Sequence, residues 1–391
     1  MPIVTRRRLT ISSALAMLAL PLSRLRPDAA LAAPIQATNG SPLGMTPPDV
    51  SAAAIYAYDL DSGSVLYTKN ADAHRPVASV TKIVTALVTY KHATRDEAVD
   101  IDDSDLIDPE SEYTRMGLQS GDRLLVLDLV YGLLLPSGGD AANALARFVG
   151  TKISGESDPD VARGKFVEEM NAYVASLGLA DTYFVDPAGE NDRGFSSAHD
   201  IAVLGGELMA VPDLAFIVAQ QTADVTSQKG VVYSLKNTND LLDDNLGVVG
   251  IKTGSTSAAG ANVLLARQVN GGESIVVVAV LGATLEYDAD GIIVQDTRYD
   301  DAKAIFADMD ERFTWTSLAD ASDVFPTLSE EMSVWDVTFQ DPPVLPIPTD
   351  GGDASYQLVI GAPVGAGEQA GVVEIYSGRT LLGSVPVYQA G

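Results

Sequence analysis

Two short apolar runs set the first elements of the chain. Ala54-Ile55-Tyr56-Ala57-Tyr58 and Val65-Leu66-Tyr67 flank Asp59-Leu60-Asp61-Ser62-Gly63, which predicts two strands joined by a glycine-containing turn. The period then changes. Val80, Ile83, Val84, Leu87 and Val88 return at three and four and predict a helix from Val80 to His92, with Ser79 at its N-terminal end. Further helical stretches run from Val126 to Leu135, Asp140 to Val149 and Val161 to Leu177, and Pro136-Ser137-Gly138-Gly139 separates the first two. Val249 to Lys252, Ala261 to Gln268 and Ser274 to Gly282 are β-branched-rich, and Asn270-Gly271-Gly272 between the last two is a hairpin signal. Strands at both ends with helices between them predict one α/β (α+β) domain over residues 51–313, its sheet closed by its own N-terminal hairpin. Beyond it, residues 314–391 read as a small all-β domain: short strands, the proline run Pro342 to Pro348, and a hairpin of Val372 to Tyr376 and Thr380 to Leu382 around Ser377-Gly378.

The N-terminus reads differently. Arg6-Arg7-Arg8 precedes the apolar stretch Ile11 to Leu22 and then Ala30-Leu31-Ala32. That stretch is too short to span a bilayer, so residues 1–32 are expected to be a secretory signal peptide. The paired arginines fit a twin-arginine signal, although an ordinary Sec signal also carries such a run. The mature protein is therefore expected to be secreted or periplasmic. Residues 33–50, rich in Pro, Gly, Ser and Thr, read as a flexible lead-in. Downstream there is neither a run of eighteen apolar residues nor a basic amphipathic helix, so no membrane anchor is expected.

Composition narrows the chemistry. With 25 Lys+Arg against 53 Asp+Glu in 391 residues, the formal charge is −28, a sign that repels nucleic acid and anionic lipid. There is no cysteine, which removes disulfides, thiolate zinc sites and a cysteine nucleophile. The histidines are His74, His92 and His199, too few and too scattered for a metal cluster or a Ser-His-Asp triad. No metal and no cofactor is expected. The acidic turns Asp59–Gly63, Asp288-Ala289-Asp290-Gly291 and Asp350-Gly351-Gly352-Asp353 read as solvated turns rather than calcium loops.

An enzyme of this composition must work almost without imidazole. Ser79-Val80-Thr81-Lys82 places a hydroxyl and an amine at i and i+3, one turn apart on a helix face, where a neutral Lys82 could take the Ser79 proton. Taken alone, the pair reads as an N-cap serine with an exposed lysine. Two more elements follow in chain order: Ser137-Gly138-Gly139 in a loop between helices, and Lys252-Thr253-Gly254-Ser255 on a predicted strand. A Ser-x-x-Lys, a Ser-x-Asn-like loop and a Lys-Thr-Gly strand in this order form a known serine-acyl signature. With Asn237-Thr238-Asn239, Met170-Asn171, Leu177-Gly178-Leu179 and Ser196 to Ile201, the chain resembles the serine-type D-alanyl-D-alanine carboxypeptidases, the low-molecular-mass penicillin-binding proteins. The likeness runs through most of residues 50–312. Ala362 to Val387 resembles the small β-domain of one branch of that family, a branch that usually ends in an amphipathic anchor, for which this sequence shows no counterpart.

The resemblance implies a penicillin-binding/β-lactamase-like fold and a set of roles. Ser79 is the nucleophile and Lys82 its base. Ser137 relays a proton to the leaving amine. Lys252 supplies positive charge, and the backbone N–H groups of Ser79 and Ser255 form the oxyanion hole. Thr253, Gly254, Ser255 and Arg298 bind the substrate, a peptidoglycan pentapeptide stem ending in D-Ala-D-Ala, and β-lactams acylate the same serine. Gly139 stands where the family usually has an asparagine whose amide meets substrate and Lys82. That departure keeps a second reading in view, a catalytically weak penicillin- or peptidoglycan-binding module. A DD-endopeptidase is a further variant. A class A β-lactamase would need a deacylating Glu four positions before an Asn after the second element, and the residue four before Asn171 is Val167. Asp140 reads as a helix N-cap.

Overall fold

The computed structural model describes residues 44–391 except 112, 319–323, 341–343, 350–353 and 363. The expected signal peptide, most of the lead-in and the acidic turn at 350–353 lie outside the described residues. The described chain divides into two compact units, one of residues 76–196 and 208–259, the other of residues 44–75, 197–207 and 260–391.

The first unit is mainly helical. A 3-10 turn, Ala78–Thr81, runs into the helix Lys82–His92, and the helices Val126–Leu134, Gly139–Ser154 and Pro159–Ser176 follow. The expected helix from Val80 therefore begins as a tighter turn, whose first residue, Ala78, takes a positive φ of 50°. Small residues let the helices approach closely: a Cβ on Gly150 would collide with the backbone of Ala162. The long strand Val248–Thr256 packs against the 3-10 turn.

In the second unit the strands Val65–Lys69, Ala54–Asp59, Ser274–Ala283 and Gly260–Val269 lie side by side in that order. All are antiparallel, with Tyr56 opposite Ala279 and Leu265 opposite Val278. The sheet thus closes with its N-terminal hairpin, as the apolar runs predict. The helix Arg298–Arg312 covers it with Ala302, Ile305, Phe306 and Met309, a return at three and four. Met45 exchanges hydrogen bonds with Leu66 and Thr68 on the outer hairpin strand. This end of the lead-in is therefore paired: the outer edge of that strand offered unpaired backbone groups, and Met45 takes them. The Asp59 turn is closed by bonds from Ser62 N and Oγ at 2.9 and 2.6 Å, and Trp315 Nε1 donates to Asp59 at 2.9 Å. Burial pushes the Asp59 carboxyl up to about 6.

At the C-terminal end, the strands Val337–Thr338, Thr380–Gln389, Gln369–Ser377 and Ala354–Ile360 form a sheet in that order. Phe313–Ser317 pairs with Val344–Pro348. This β-rich region also holds one short helix, Leu328–Val334, because Leu328 and Met332 four residues apart drop into the same apolar cluster as Val373, Ile375 and Val387. Among the described residues no single helix is long and apolar enough to cross a membrane.

Candidate active site

Ser79 sits inside the 3-10 turn and Lys82 opens the helix that follows. The Lys82 amine donates to Ser79 Oγ at 2.8 Å and to the Ala188 carbonyl at 2.7 Å. Lys82 is only 1% exposed, so the reading of the pair as a cap with a solvated lysine fails. Burial pulls its amine down to about 8, against the opposing pull of Glu190, Asp186 and Asp140. The half-buried Ser79 caps no helix by its side chain.

Ser137 takes a strained backbone conformation, with φ of 63°. Its hydroxyl is buried and meets no hydrogen-bond partner among the described residues, an orphan that points to a partner supplied from outside the chain. Thr114 locks the loop: its Oγ1 donates to the Ser137 carbonyl at 2.6 Å and its own carbonyl accepts from Gly139 N at 2.8 Å. Gly138, not Asp140, stands at the N-cap of Gly139–Ser154. Asp140 instead turns its buried carboxylate back to accept Met116 N, Gly117 N, Leu118 N and Ala141 N at 2.7 to 2.9 Å. The expected cap is therefore a clamp on Met116 to Leu118, because three N–H groups of that segment converge on it beside the N–H of Ala141.

The third element lies on the strand Val248–Thr256. Lys252 is buried, and its amine donates to the Thr253 carbonyl at 3.0 Å. Thr253 Oγ1 shares a 2.7 Å hydrogen bond with Thr238 Oγ1. Asn239 donates to the Gly250 carbonyl at 3.3 Å, and Asn237 donates to the Val218 and Gln220 carbonyls. The Asn-Thr-Asn segment thus pins the strand. Gly254 has a steric reason: a Cβ there would lie 2.8 Å from Ser79 N and 2.9 Å from both Val77 O and Val80 N. Those atoms are backbone and cannot step aside. Gly254→Ala is expected to shift the turn that carries Ser79 and to slow its acylation by on the order of 100-fold, measured as penicillin adduct formation over time. An unchanged rate would mean that the strand does not set the nucleophile's position. Ser255 is exposed at the end of this run.

The structure thus brings Ser79, Lys82, Ser137, Gly139, Lys252, Thr253, Gly254 and Ser255 into one unit. Arg298 belongs to the other, where it is buried, paired with Asp296 at 2.6 to 2.9 Å and bonded to the Asn262 carbonyl at 3.2 Å. The motif reading missed the 186–191 loop. Asp186 folds it by accepting from Ala188 N, Gly189 N, Glu190 N and Asn191 N, and Thr85 Oγ1 ties Pro187 O to the Lys82 helix at 2.6 Å. Asp186-Pro187-Ala188-Gly189 is a turn signal, but nothing local says that the turn delivers a carbonyl to Lys82. His92 bonds Glu169 and His199 bonds Asp200. Asn171 binds Phe184 N and O and Val167 O, which gives it a structural use.

A serine paired with a buried lysine, a second serine whose hydroxyl has no partner among the described residues and a Lys-Thr-Gly strand match the serine acyl-transfer signature of the penicillin-binding type. The family model of the D-alanyl-D-alanine carboxypeptidases, peptidase S11, matches residues 42–284, and the chain belongs to that family. It is a serine-type carboxypeptidase, a hydrolase. A D-alanyl-D-alanine carboxypeptidase of Mycobacterium tuberculosis is 33% identical over 249 residues, covering 63% of this chain and 80% of that protein. Among solved structures, penicillin binding protein 6B from Escherichia coli aligns with a TM-score of 0.65 at 25% identity, covering 90% of this chain and 99% of its own. A Streptomyces DD-transpeptidase aligns at 0.59 and 30% identity, covering 67% of this chain and 98% of its own. The fold expected from the motifs is the one found.

Proposed function

We propose that this protein removes the terminal D-alanine from peptidoglycan pentapeptide stems through an acyl-enzyme on Ser79, outside the cytoplasm after loss of its signal peptide. The observation that carries the proposal is the 2.8 Å contact between Lys82 Nζ and Ser79 Oγ in a buried setting that favours the neutral amine. In that neutral form the hydrogen bond reverses, with the Ser79 hydroxyl donating to Lys82. Ser79 Oγ then bonds to the carbonyl carbon between the two D-alanines while its proton passes to Lys82. The oxyanion falls to the N–H groups of Ser79 and Ser255. The C–N bond breaks as the proton moves from Lys82 through Ser137 to the departing amine, a route that gives the orphaned hydroxyl a use. Water hydrolyses the ester and restores the serine. Lys252 and Thr253 receive the terminal carboxylate, and the resemblance adds Arg298, whose guanidinium is already shared with Asp296. A β-lactam enters by the same attack, but its leaving nitrogen stays tethered, so the ester persists as a covalent inhibitor complex.

The test is mass spectrometry of the mature protein incubated with benzylpenicillin and, separately, with a pentapeptide ending in D-Ala-D-Ala. Wild type is expected to carry a penicilloyl group on Ser79 and to release D-alanine, and Ser79→Ala to do neither. An adduct without D-alanine release would replace this substrate with another bond or with a binding role, and no adduct would end the serine-acyl reading.

A further inference from the structure

The site's second element ends in a residue without a side chain, and the space beside it is occupied. A Cβ built on Gly139 would collide with Glu190 Oε1, so the 186–191 loop sends its carboxylate into the position that a side chain at 139 would fill. Glu190 is part-buried and interacts electrostatically with Lys82. Three carboxylates bear on that lysine, and two have other duties. Asp140 is saturated by four backbone N–H groups, as is Asp186. No described residue donates a hydrogen bond to the Glu190 carboxylate.

We propose that Glu190 is a positioning residue of this site: its carboxylate takes the place of a side chain on residue 139 and holds the Lys82 amine in register with Ser79. The inference rests on the serine-acyl reading above and deepens it. Burial raises the Glu190 carboxyl above its ordinary range while the Lys82 charge opposes the rise. The negative charge of Glu190 favours the Lys82 ammonium, and its removal favours the free amine at lower pH. Gly139 is then not a lost function but the condition for Glu190 to enter.

The experiment titrates Lys82 directly by NMR in protein carrying ¹³C-labelled lysine, in wild type and in Glu190→Gln, which keeps shape and removes charge. Benzylpenicillin acylation rates are followed across the same pH range. Glu190→Gln is expected to move both the Lys82 titration and the acid limb of acylation to lower pH by roughly one unit. A purely structural role would move neither. Gly139→Ala is expected to slow acylation roughly tenfold by expelling the carboxylate, and to cost nothing more once Glu190→Ala has vacated the space. An unmoved Lys82 titration with acylation intact overturns the Glu190 assignment and leaves the serine-acyl reading standing, as does a Gly139→Ala penalty that persists in Glu190→Ala. A shifted titration in a protein that forms no adduct does the reverse.

Discussion

Replacing Lys82 by methionine, which keeps the buried stem and removes the amine, is expected to slow penicillin acylation of Ser79 by about 1,000-fold at neutral pH, within the range measured for loss of a general base. The wild-type rate carries its own signature. With the free amine as the active form in the proposed mechanism and burial pulling Lys82 down to about 8, acylation should rise about tenfold per pH unit below 8 and level off above it. Lys82→Met should lose that rise and keep a nearly native melting temperature, since its side chain still fills the site. If it acylates at the wild-type rate with the same pH limb, the proton acceptor is another group.

The second large effect is on stability. Asp140→Ala removes one buried carboxylate and strands the buried N–H groups of Met116, Leu118 and Ala141, with that of the exposed Gly117 beside them. An unsatisfied buried donor costs about 1–3 kcal/mol. With partial relaxation toward water, a loss of roughly 3–5 kcal/mol is expected, or about 10 °C in melting temperature. The damage should also reach the site. Met116 to Leu118 hold Thr114 in place, and Thr114 fixes both the Ser137 carbonyl and Gly139 N. Thermal melting read beside acylation should show both falling together. A melt within 2 °C of wild type would mean that water satisfies those donors.

Most of the site was legible because its chemistry is written in short, local patterns. Ser79 and Lys82 meet because a helical turn brings i and i+3 together, and this holds whatever the rest of the chain does. Gly254 could be named from its motif, but its reason is distant: the backbone of Ser79 and Val80 lies where a Cβ would go. Arg298 is named by the resemblance alone, and the structure places it in the other unit with Asp296 on its guanidinium. Glu190 escaped notice altogether, since a glutamate after a turn glycine has no periodicity or spacing to mark it. Only the fold of the 186–191 loop onto Gly139 gives it a role.

The order of apolar runs thus determined the elements by itself: the N-terminal hairpin, the central helices, the paired strands around Asn270-Gly271-Gly272 and the β-rich C-terminal region. Each follows from side chains a few positions apart seeking one face, which the local pattern states completely. The three catalytic motifs likewise named their family. What the tertiary structure alone decided is the electrostatic state of the site. The Lys82 amine is pulled down because distant segments bury it, Asp140 is a clamp because the backbone of Met116, Gly117 and Leu118 converges on it, and the Glu190 carboxylate occupies the space that residue 139 leaves. Desolvation and charge act through space between residues far apart in the chain, and no local pattern encodes that distance.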